Sequence, residues 1–210
     1  MLLRALDLDL PEDLELPLRS GAAHWYWLGG RPALDLVNTL RERWRRRVDT
    51  LVTTDDLAAW LVQSGLLPGP MPVRRAALDE TRDLREAIDA GVRAAVAGDA
   101  PPDEAVRVID GWLVHAGTRP SLALIGGEPT LGERPAADSP RRALGTVALD
   151  AATMLGLAEQ RARVRICAGD SCSARFYDRS PAGRRRWCSM RTCGNAAKAR
   201  RHRDRRRAAA

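Results

Sequence analysis

The sequence predicts an α+β fold: a mainly α-helical N-terminal domain with a small β-hairpin or sheet, followed by a small four-cysteine module that ends in a basic helix. Three observations lead to this prediction. Apolar residues recur at helical spacing through much of residues 32–160. A Gly-Gly pair separates two short apolar segments near residue 126. All four cysteines lie between residues 167 and 193.

Three segments of the chain differ in character. Residues 1–23 alternate leucine with acidic residues and are expected to form an arm, residues 24–160 a helical domain, and residues 163–207 the cysteine module. No Gly/Ser linker joins the domain to the module, so the two parts are expected to be mechanically coupled. The first residues are charged too early for a signal peptide, and no apolar stretch is long enough for a membrane span. We therefore expect a cytoplasmic protein with no membrane partner.

The domain begins with the aromatic stretch His24–Leu28, which predicts a short strand. Pro32 suits a first helical position and predicts a helix that continues to about Arg47. Asn38 lies on the apolar side of that helix. It is either a buried amide satisfied by neighbouring backbone or a contact to a bound small molecule.

Caps, helical spacing and turn residues predict the remaining elements of the domain. They are a helix at 57–64 capped by Thr54-Asp55-Asp56, a long helix at 73–97, a helix at 103–115 that carries Val106, Ile109, Trp112 and Leu113 inward, a hairpin at 120–134 that turns at Gly126-Gly127, and a helix at 139–160.

The cysteines form two close pairs, Cys167 with Cys172 and Cys188 with Cys193, and fifteen residues separate the pairs. Two such pairs can place four thiolates around Zn²⁺ at about 2.3 Å. We therefore predict one structural zinc ion in a zinc-ribbon-like or treble-clef-like module. Four sulfur ligands leave no open position for water or substrate. Disulfides belong to oxidising compartments, and redox-active thiols are the other alternative.

The module is strongly basic. Residues 161–207 contain sixteen Arg and Lys against three Asp, a balance of +13, whereas the whole chain carries +7 and the remainder therefore −6. This division of charge is typical of a chain with a nucleic-acid-binding end.

A helix is predicted from Gly194 onward, with positive charges on every face. Like charges three or four residues apart destabilise an isolated helix, so this arrangement favours a position beside phosphates. Trp187 precedes a cysteine and is expected to shield the metal, with stacking on a base as the alternative. The residues expected to contact nucleic acid are Arg184, Arg185, Arg186, Lys198, Arg200, Arg201, Arg203 and Arg205.

Two motifs resemble known families. Trp187-Cys188-Ser189-Met190 and Cys193-Gly194-Asn195, with Lys198 three residues further on, resemble the CGNR zinc-finger family of bacterial proteins. The segment at 33–40, Ala-Leu-Asp-Leu-Val-Asn-Thr-Leu, is similar to a signature of the ABATE domain that precedes that finger. The resemblance implies a stress-linked transcription regulator whose finger binds DNA. Ala196 stands where the family name records arginine, so Arg200 or Arg201 would have to replace that contact.

The sequence is compatible with four functions. The first is a DNA-binding regulator whose N-terminal domain senses a small molecule or a partner. The second is an RNA- or ribosome-associated protein, and the third is a switch in which thiol oxidation ejects zinc. An enzyme is the weakest, because the sequence has no phosphate-binding glycine loop, no H-E-x-x-H motif and no nucleophile elbow.

Two further expectations concern assembly and stability. A single small module buries only about 600–1,000 Å² on DNA, so a homodimer is expected. Replacing Cys188 with Ser is expected to unfold the module while sparing most of the N-terminal helices.

Overall fold

The computed structural model describes residues 10–135 and 138–208. The first nine residues of the expected N-terminal segment (residues 1–23) lie outside that range. A 3-10 helix at Ala22–His24 precedes the regular elements. The helices are α1 (Pro32–Val37), α2 (Thr54–Gln63), α3 (Arg75–Ala97), α4 (Asp103–Leu113), α5 (Pro140–Gly156), α6 (Ala158–Arg161) and α7 (Asn195–Ala208). The strands are β1 (Leu40–Arg41), β2 (Val48–Asp49), β3 (Thr118–Ile125), β4 (Glu128–Pro135), β5 (Val164–Ile166) and β6 (Arg175–Tyr177).

The core lies where α1 packs between α3 and α5, with α4 against the same two helices. Four of the six residues of α1, Ala33, Leu34, Leu36 and Val37, are fully buried. A helix this short has little stability of its own, so its apolar contacts hold it in place. The predicted long helix α3 is confirmed, and it ends at Gly98, whose φ of 82° is in the left-handed region that a helix C-terminus favours.

The prediction that the first helix continues to about Arg47 was wrong. Helix α1 ends at Val37, and β1 and β2 follow as a short antiparallel hairpin. Two residues of the intervening loop, Glu42 and Arg47, have φ values of 47° and 53°, which no helix contains. Arginine side chains of this segment donate to acceptors in other parts of the chain. For example, Arg43 donates to Glu86 on α3 at 2.7 Å.

The predicted strand at His24–Leu28 is absent from the structure. His24 closes the 3-10 helix, and the backbone that follows is extended but belongs to no sheet. Side-chain contacts, and not pairing with another strand, hold this extended segment in place. The indole Nε1 of Trp25 donates to the carbonyl of Thr50 at 2.9 Å, and Tyr26 is buried. Aromatic composition alone does not distinguish such a segment from a strand.

Three helix boundaries differ from the predicted ones. Helix α2 is capped by Thr53, which forms a capping box with Asp56, so it begins three residues earlier than expected. Helix α4 ends at Leu113, and Val106 on it is 48% exposed, contrary to the prediction that it points inward. The predicted helix at 139–160 breaks at Leu157, whose ψ of 122° is extended, and resumes as α6.

The predicted hairpin is confirmed as β3 and β4, paired from Thr118↔Pro135 to Ile125↔Glu128. Gly126 and Gly127 form its turn with φ values of 61° and 89°. A two-residue turn with two positive φ angles matches the right-handed twist of the strands and strongly favours glycine.

The cysteine module consists of the β5–β6 pair, a π-helical turn at Met190–Gly194 and α7. It is not a separate body, since β5 packs on α3 and β6 packs on α1. Within the residues that the structure describes, no helix combines the length and the hydropathy needed to cross a membrane.

Candidate metal centre and its basic helix

The four cysteines come together at one buried point. Cys167 follows β5, Cys172 closes the loop after it, Cys188 lies on the return, and Cys193 lies in the π-helical turn before α7. All four are buried, and their Sγ atoms lie within 4.8 Å of one another. The loop spacing therefore brings together the two pairs that the sequence predicts.

The sulfur geometry fits zinc. The Cys172–Cys188 and Cys188–Cys193 Sγ distances are 3.7 and 3.8 Å. A tetrahedron with Zn–S bonds of about 2.3 Å has edges of about 3.8 Å. A disulfide requires about 2.05 Å, so these cysteines are free thiols. The four residues form one structural zinc site, which confirms the cofactor prediction.

Local packing holds the sulfurs at this spacing. Gly169 is tightly packed, since a Cβ there would lie 3.2 Å from the Sγ of Cys193. The backbone N–H of Cys188 points at the Sγ of Cys167 at 3.4 Å. At the second pair, a Cβ on Gly194 would lie 2.8 Å from the Sδ of Met190. Glycine at these two positions therefore allows the close approach without a shift of Cys193 or Met190.

The thiols also show why a divalent cation suits this position. Hydrogen bonding to Cys167 raises the pKa of the Cys172 and Cys188 thiols, burial raises both further, and hydrogen bonding to Cys172 lowers the pKa of the Cys167 thiol. Four adjacent thiolates repel one another, and Zn²⁺ offsets that repulsion when it is bound.

The N-terminal domain completes the surroundings of the metal centre. Tyr26 and Leu28 pack in the same apolar cluster as the four cysteines. The guanidinium of Arg41 lies over the Tyr26 ring, 4.5 Å from its centroid. Burial raises the pKa of the Tyr26 phenol, which therefore stays neutral. Sequence reasoning missed this contribution, although the aromatic stretch that contains Tyr26 was its visible signal.

Asn38, the candidate small-molecule contact, joins the domain to the module. Its Nδ2 donates to the carbonyl of Arg175 at 2.9 Å, and its Oδ1 accepts from the N–H of Arg175 at 2.8 Å. The side-chain amide thus pairs with β6 as a neighbouring backbone strand would. A backbone hydrogen bond joins the same two parts, from the N–H of Tyr177 to the carbonyl of Gly29 at 2.8 Å.

A buried ionic network lies under the same contact. The Nε of Arg175 donates to Asp89 on α3 at 2.7 Å, and both side chains are almost fully buried. Asp89 also pairs with Arg43 at 3.3 Å, and Arg43 pairs with Glu86. Removing one member of a buried pair leaves an uncompensated charge, which destabilises a protein by about 3–5 kcal/mol. The charge of Arg175 is therefore used within the interface between the module and the domain.

A third contact involves α5 and α6. Asp150 accepts from the Nε of Arg31 at 2.9 Å and from the N–H of Ala33 at 3.0 Å. The side-chain oxygen of Gln160 accepts from Arg31 at 2.9 Å and from the phenol of Tyr177 at 2.5 Å. These bonds tie the start of α1, the end of the helical domain and strand β6 to one another.

Asp35 makes the stability of this region depend on pH. Burial raises its pKa to about 6, although the N–H of Gly29 donates to its Oδ1 at 2.8 Å and opposes the shift. The folded state therefore prefers the protonated form, and its stability contribution is lost as pH rises from about 4 through about 6. Asp35→Asn keeps an acceptor oxygen but does not titrate. Between pH 5 and pH 7.5 we expect the free energy of unfolding of Asp35→Asn to rise by about 1–2 kcal/mol relative to that of the parent chain.

Urea unfolding of both chains at the two pH values measures this difference, and effects common to both chains cancel. Asp55→Asn on the exposed side of α2 is the matched control and is expected to show no such gain. An equal pH dependence in the parent chain and Asp35→Asn would contradict the assignment.

The basic residues divide into two groups. The backbone carbonyls of Trp187 and Cys188 accept hydrogen bonds from Arg185, and Asp170 forms an ion pair with Arg200. Arg186 lies over the Trp187 ring at 5.2 Å. The remaining candidates are exposed, namely Arg184, Lys198, Arg201, Arg203 and Arg205. Of these, Arg201 and Arg205 donate to backbone carbonyls one turn earlier in α7.

Trp187 packs against the cysteine cluster, as a metal-shielding residue does. Its indole nitrogen is buried and has no hydrogen-bond partner in the described ranges. Together with Arg184, Arg186, Ser180 and Met190, it lines a surface cavity of about 240 Å³.

Comparison with protein-family models gives two matches. The ABATE model, described as "Putative stress-induced transcription regulator", matches residues 30–157. The CGNR zinc finger model matches residues 163–206. Among curated proteins, no match to the chain is found. The two matched segments correspond to the helical domain and to the metal-binding module.

Proposed function

Because the chain belongs to the ABATE family and ends in a CGNR zinc finger, we propose that this transcription regulator binds duplex DNA through its zinc module. The family's description as a regulator also favours a non-enzymatic role. The N-terminal domain is the proposed sensor of a small molecule or a protein partner.

Helix α7 is the observation that carries the proposal. It has no buried residue, so no apolar face holds it against the rest of the chain. Seven of its fourteen residues are Lys or Arg, against one Asp. An isolated helix with this charge is destabilised by repulsion between turns, and phosphates remove that repulsion. The helix begins two residues after the last zinc ligand, so the metal centre fixes its starting direction.

The surface beside Trp187 supports a second contact. Arg184 and Arg186 are exposed there, and the cavity next to them combines positive charge with an aromatic ring. Arginine and aromatic side chains are the groups that contact phosphates and bases in nucleic-acid complexes. Arg185 is a weaker candidate, because its guanidinium is bound to the protein's own carbonyls.

The sensing role is supported by the contact between the two parts. Asn38 and Asp89 of the N-terminal domain bind the backbone and the guanidinium of Arg175 in the module. A ligand that shifts α1 or α3 would therefore act directly on β6, the strand between Cys172 and Cys188.

Salt dependence tests the DNA contact. Each phosphate neutralised by a side chain contributes about −0.9 to the slope of log affinity against log salt. Arg200→Ala combined with Arg201→Ala is expected to weaken binding to all duplexes alike and to reduce the slope by about 1 to 2. The lower value applies if Arg200 stays paired with Asp170.

Fluorescence anisotropy over a series of salt concentrations measures the slope. Arg74→Ala combined with Arg75→Ala at the start of α3 removes the same charge from another exposed site and is expected to leave the slope unchanged. Competition between duplex DNA and A-form RNA at fixed salt then tests the nucleic acid itself, and a preference for RNA would contradict the proposal.

A further inference from the structure

The β3–β4 hairpin has one apolar face. It is called the arm from here on and is distinct from the N-terminal residues 1–23. Strand alternation places Leu122 and Leu124 on the same side, and their cross-strand partners are Leu131 and Pro129. Such alternation is typical of a sheet whose one face is covered. In this chain the three leucines are 71%, 75% and 73% exposed. A lone two-stranded hairpin is marginally stable in water, so this face calls for a partner.

The edges of the arm do not invite strand addition. In an antiparallel pair, ladder hydrogen bonds alternate along the strands, and proline can occupy only positions whose nitrogen faces outward. Pro120 and Pro129 occupy such positions, one on each strand. Each removes a donor from an outer edge, which hinders pairing with a further strand. A partner is therefore expected on the leucine face.

The helical domain offers a matching concave surface, called here the groove. It lies between α3, α4 and α5, has a volume of about 220 Å³ and has Asp110 as its one ionisable lining residue. Gly91 and Ala105 line it, and Leu155 packs closely on Gly91, where a Cβ would lie 2.6 Å from its Cδ1. Val106, which the sequence places in the core, stands half exposed in its lining. The other aliphatic lining residues include Ile109, Leu113 and Leu155.

We propose that the arm of one copy of this chain docks in the groove of a second copy, and that the second copy returns the contact. The exposed leucine face and the concave groove are both aliphatic, so each suits the other better than a nucleic acid or a charged peptide would. Length also fits, since an eight-residue strand spans about 26 Å. The eleven residues of α4 span about 16 Å, so an arm can follow the whole helix.

The area favours a second copy over an unrelated partner. Each exposed leucine removes on the order of 100 Å² from water, and the groove loses a similar area. One arm in one groove thus buries roughly 500 Å², below the ~1,000 Å² expected of a specific interface. Two reciprocal contacts reach that value, and their twofold symmetry closes the assembly. This inference does not depend on which nucleic acid the zinc module binds.

Analytical ultracentrifugation of the zinc-loaded chain tests the dimer. The parent chain is expected at twice its 23.0 kDa mass. Leu122→Glu with Leu131→Glu is expected to raise the dimer dissociation constant at least 100-fold. The matched control is Ala123→Glu with Thr130→Glu, which adds the same cross-strand charge pair to the other face. It is expected to remain a dimer.

The groove is tested separately. Val106→Glu is also expected to give a monomer, with unchanged zinc content and circular dichroism. Mixing it with the arm variant restores one intact arm and one intact groove, so partial association is expected to return. If the parent chain sediments as a monomer at a concentration on the order of 50 μM, the proposal of a dimer is wrong. A dimeric Val106→Glu chain overturns the groove as the docking site.

Discussion

A chain cut after Gly194 is expected to lose at least about 100-fold in affinity for duplex DNA at about 0.15 M salt. The cut removes all seven Lys and Arg residues of α7. It keeps the four cysteines, so zinc is expected to remain at one ion per chain. If each of the seven charges contacts a phosphate, the slope of log affinity against log salt falls in magnitude by up to about 6.

A full-length variant separates charge from chain length. Replacing the seven basic residues of α7 with Gln keeps a good helix former at each position. It is expected to bind as weakly as the shortened chain. Full affinity and an unchanged salt slope in the shortened, zinc-loaded chain would show that α7 is not the DNA-binding element.

The Cys188→Ser chain is expected to lose its zinc and to melt about 10–15 °C below the parent chain. The reason lies in the contact between module and domain. Without the metal centre, the module no longer holds Arg175 in place, and Asp89 on α3 loses a partner at 2.7 Å. Asp89 keeps its pair with Arg43, but the bonds of Asn38 and Gln160 to β6 are lost at the same time. These four hydrogen bonds together contribute about 4 kcal/mol, at about 1 kcal/mol each. Each kcal/mol lowers the melting temperature of a chain this size by about 2–4 °C.

This expectation revises what the sequence alone predicts. The absence of a linker predicts mechanical coupling between the two parts, yet the sequence alone predicts that most of the N-terminal helices are spared when the module unfolds. The interface instead makes Tyr26, Asn38 and Asp89 dependent on a folded module. The helices are therefore expected to form but to be less stable.

Metal analysis and thermal circular dichroism together measure both effects. Ser189→Ala, one residue further on, is the matched control, because the Ser189 side chain makes no capping bond to the turn that follows. It is expected to keep one zinc ion and the parent melting temperature. Unchanged zinc in Cys188→Ser would refute the ligand assignment. Lost zinc with unchanged melting of the helices would refute the coupling.

Local signals account for what the sequence predicted correctly. The long helix α3 has regular apolar spacing and a glycine stop, and the arm has two glycines at its turn. The cysteine pairs indicate a metal whatever surrounds them, because four thiolates need only short loops to converge. Each of these features depends on residues close together in the chain.

Tertiary structure decided the rest, because the partners lie far apart in sequence. Asn38 binds the backbone of Arg175, 137 positions away, and helix α1 ends just before Asn38. Arg175 and the arginines of α7 add equally to the positive charge of the C-terminal segment, yet the charge of Arg175 is neutralised by Asp89 on α3. A charge count shows that the C-terminal segment is basic. Only the packing shows which of its charges are bound within the protein and which face outward, because burial makes an unpaired ion far more costly than solvent does.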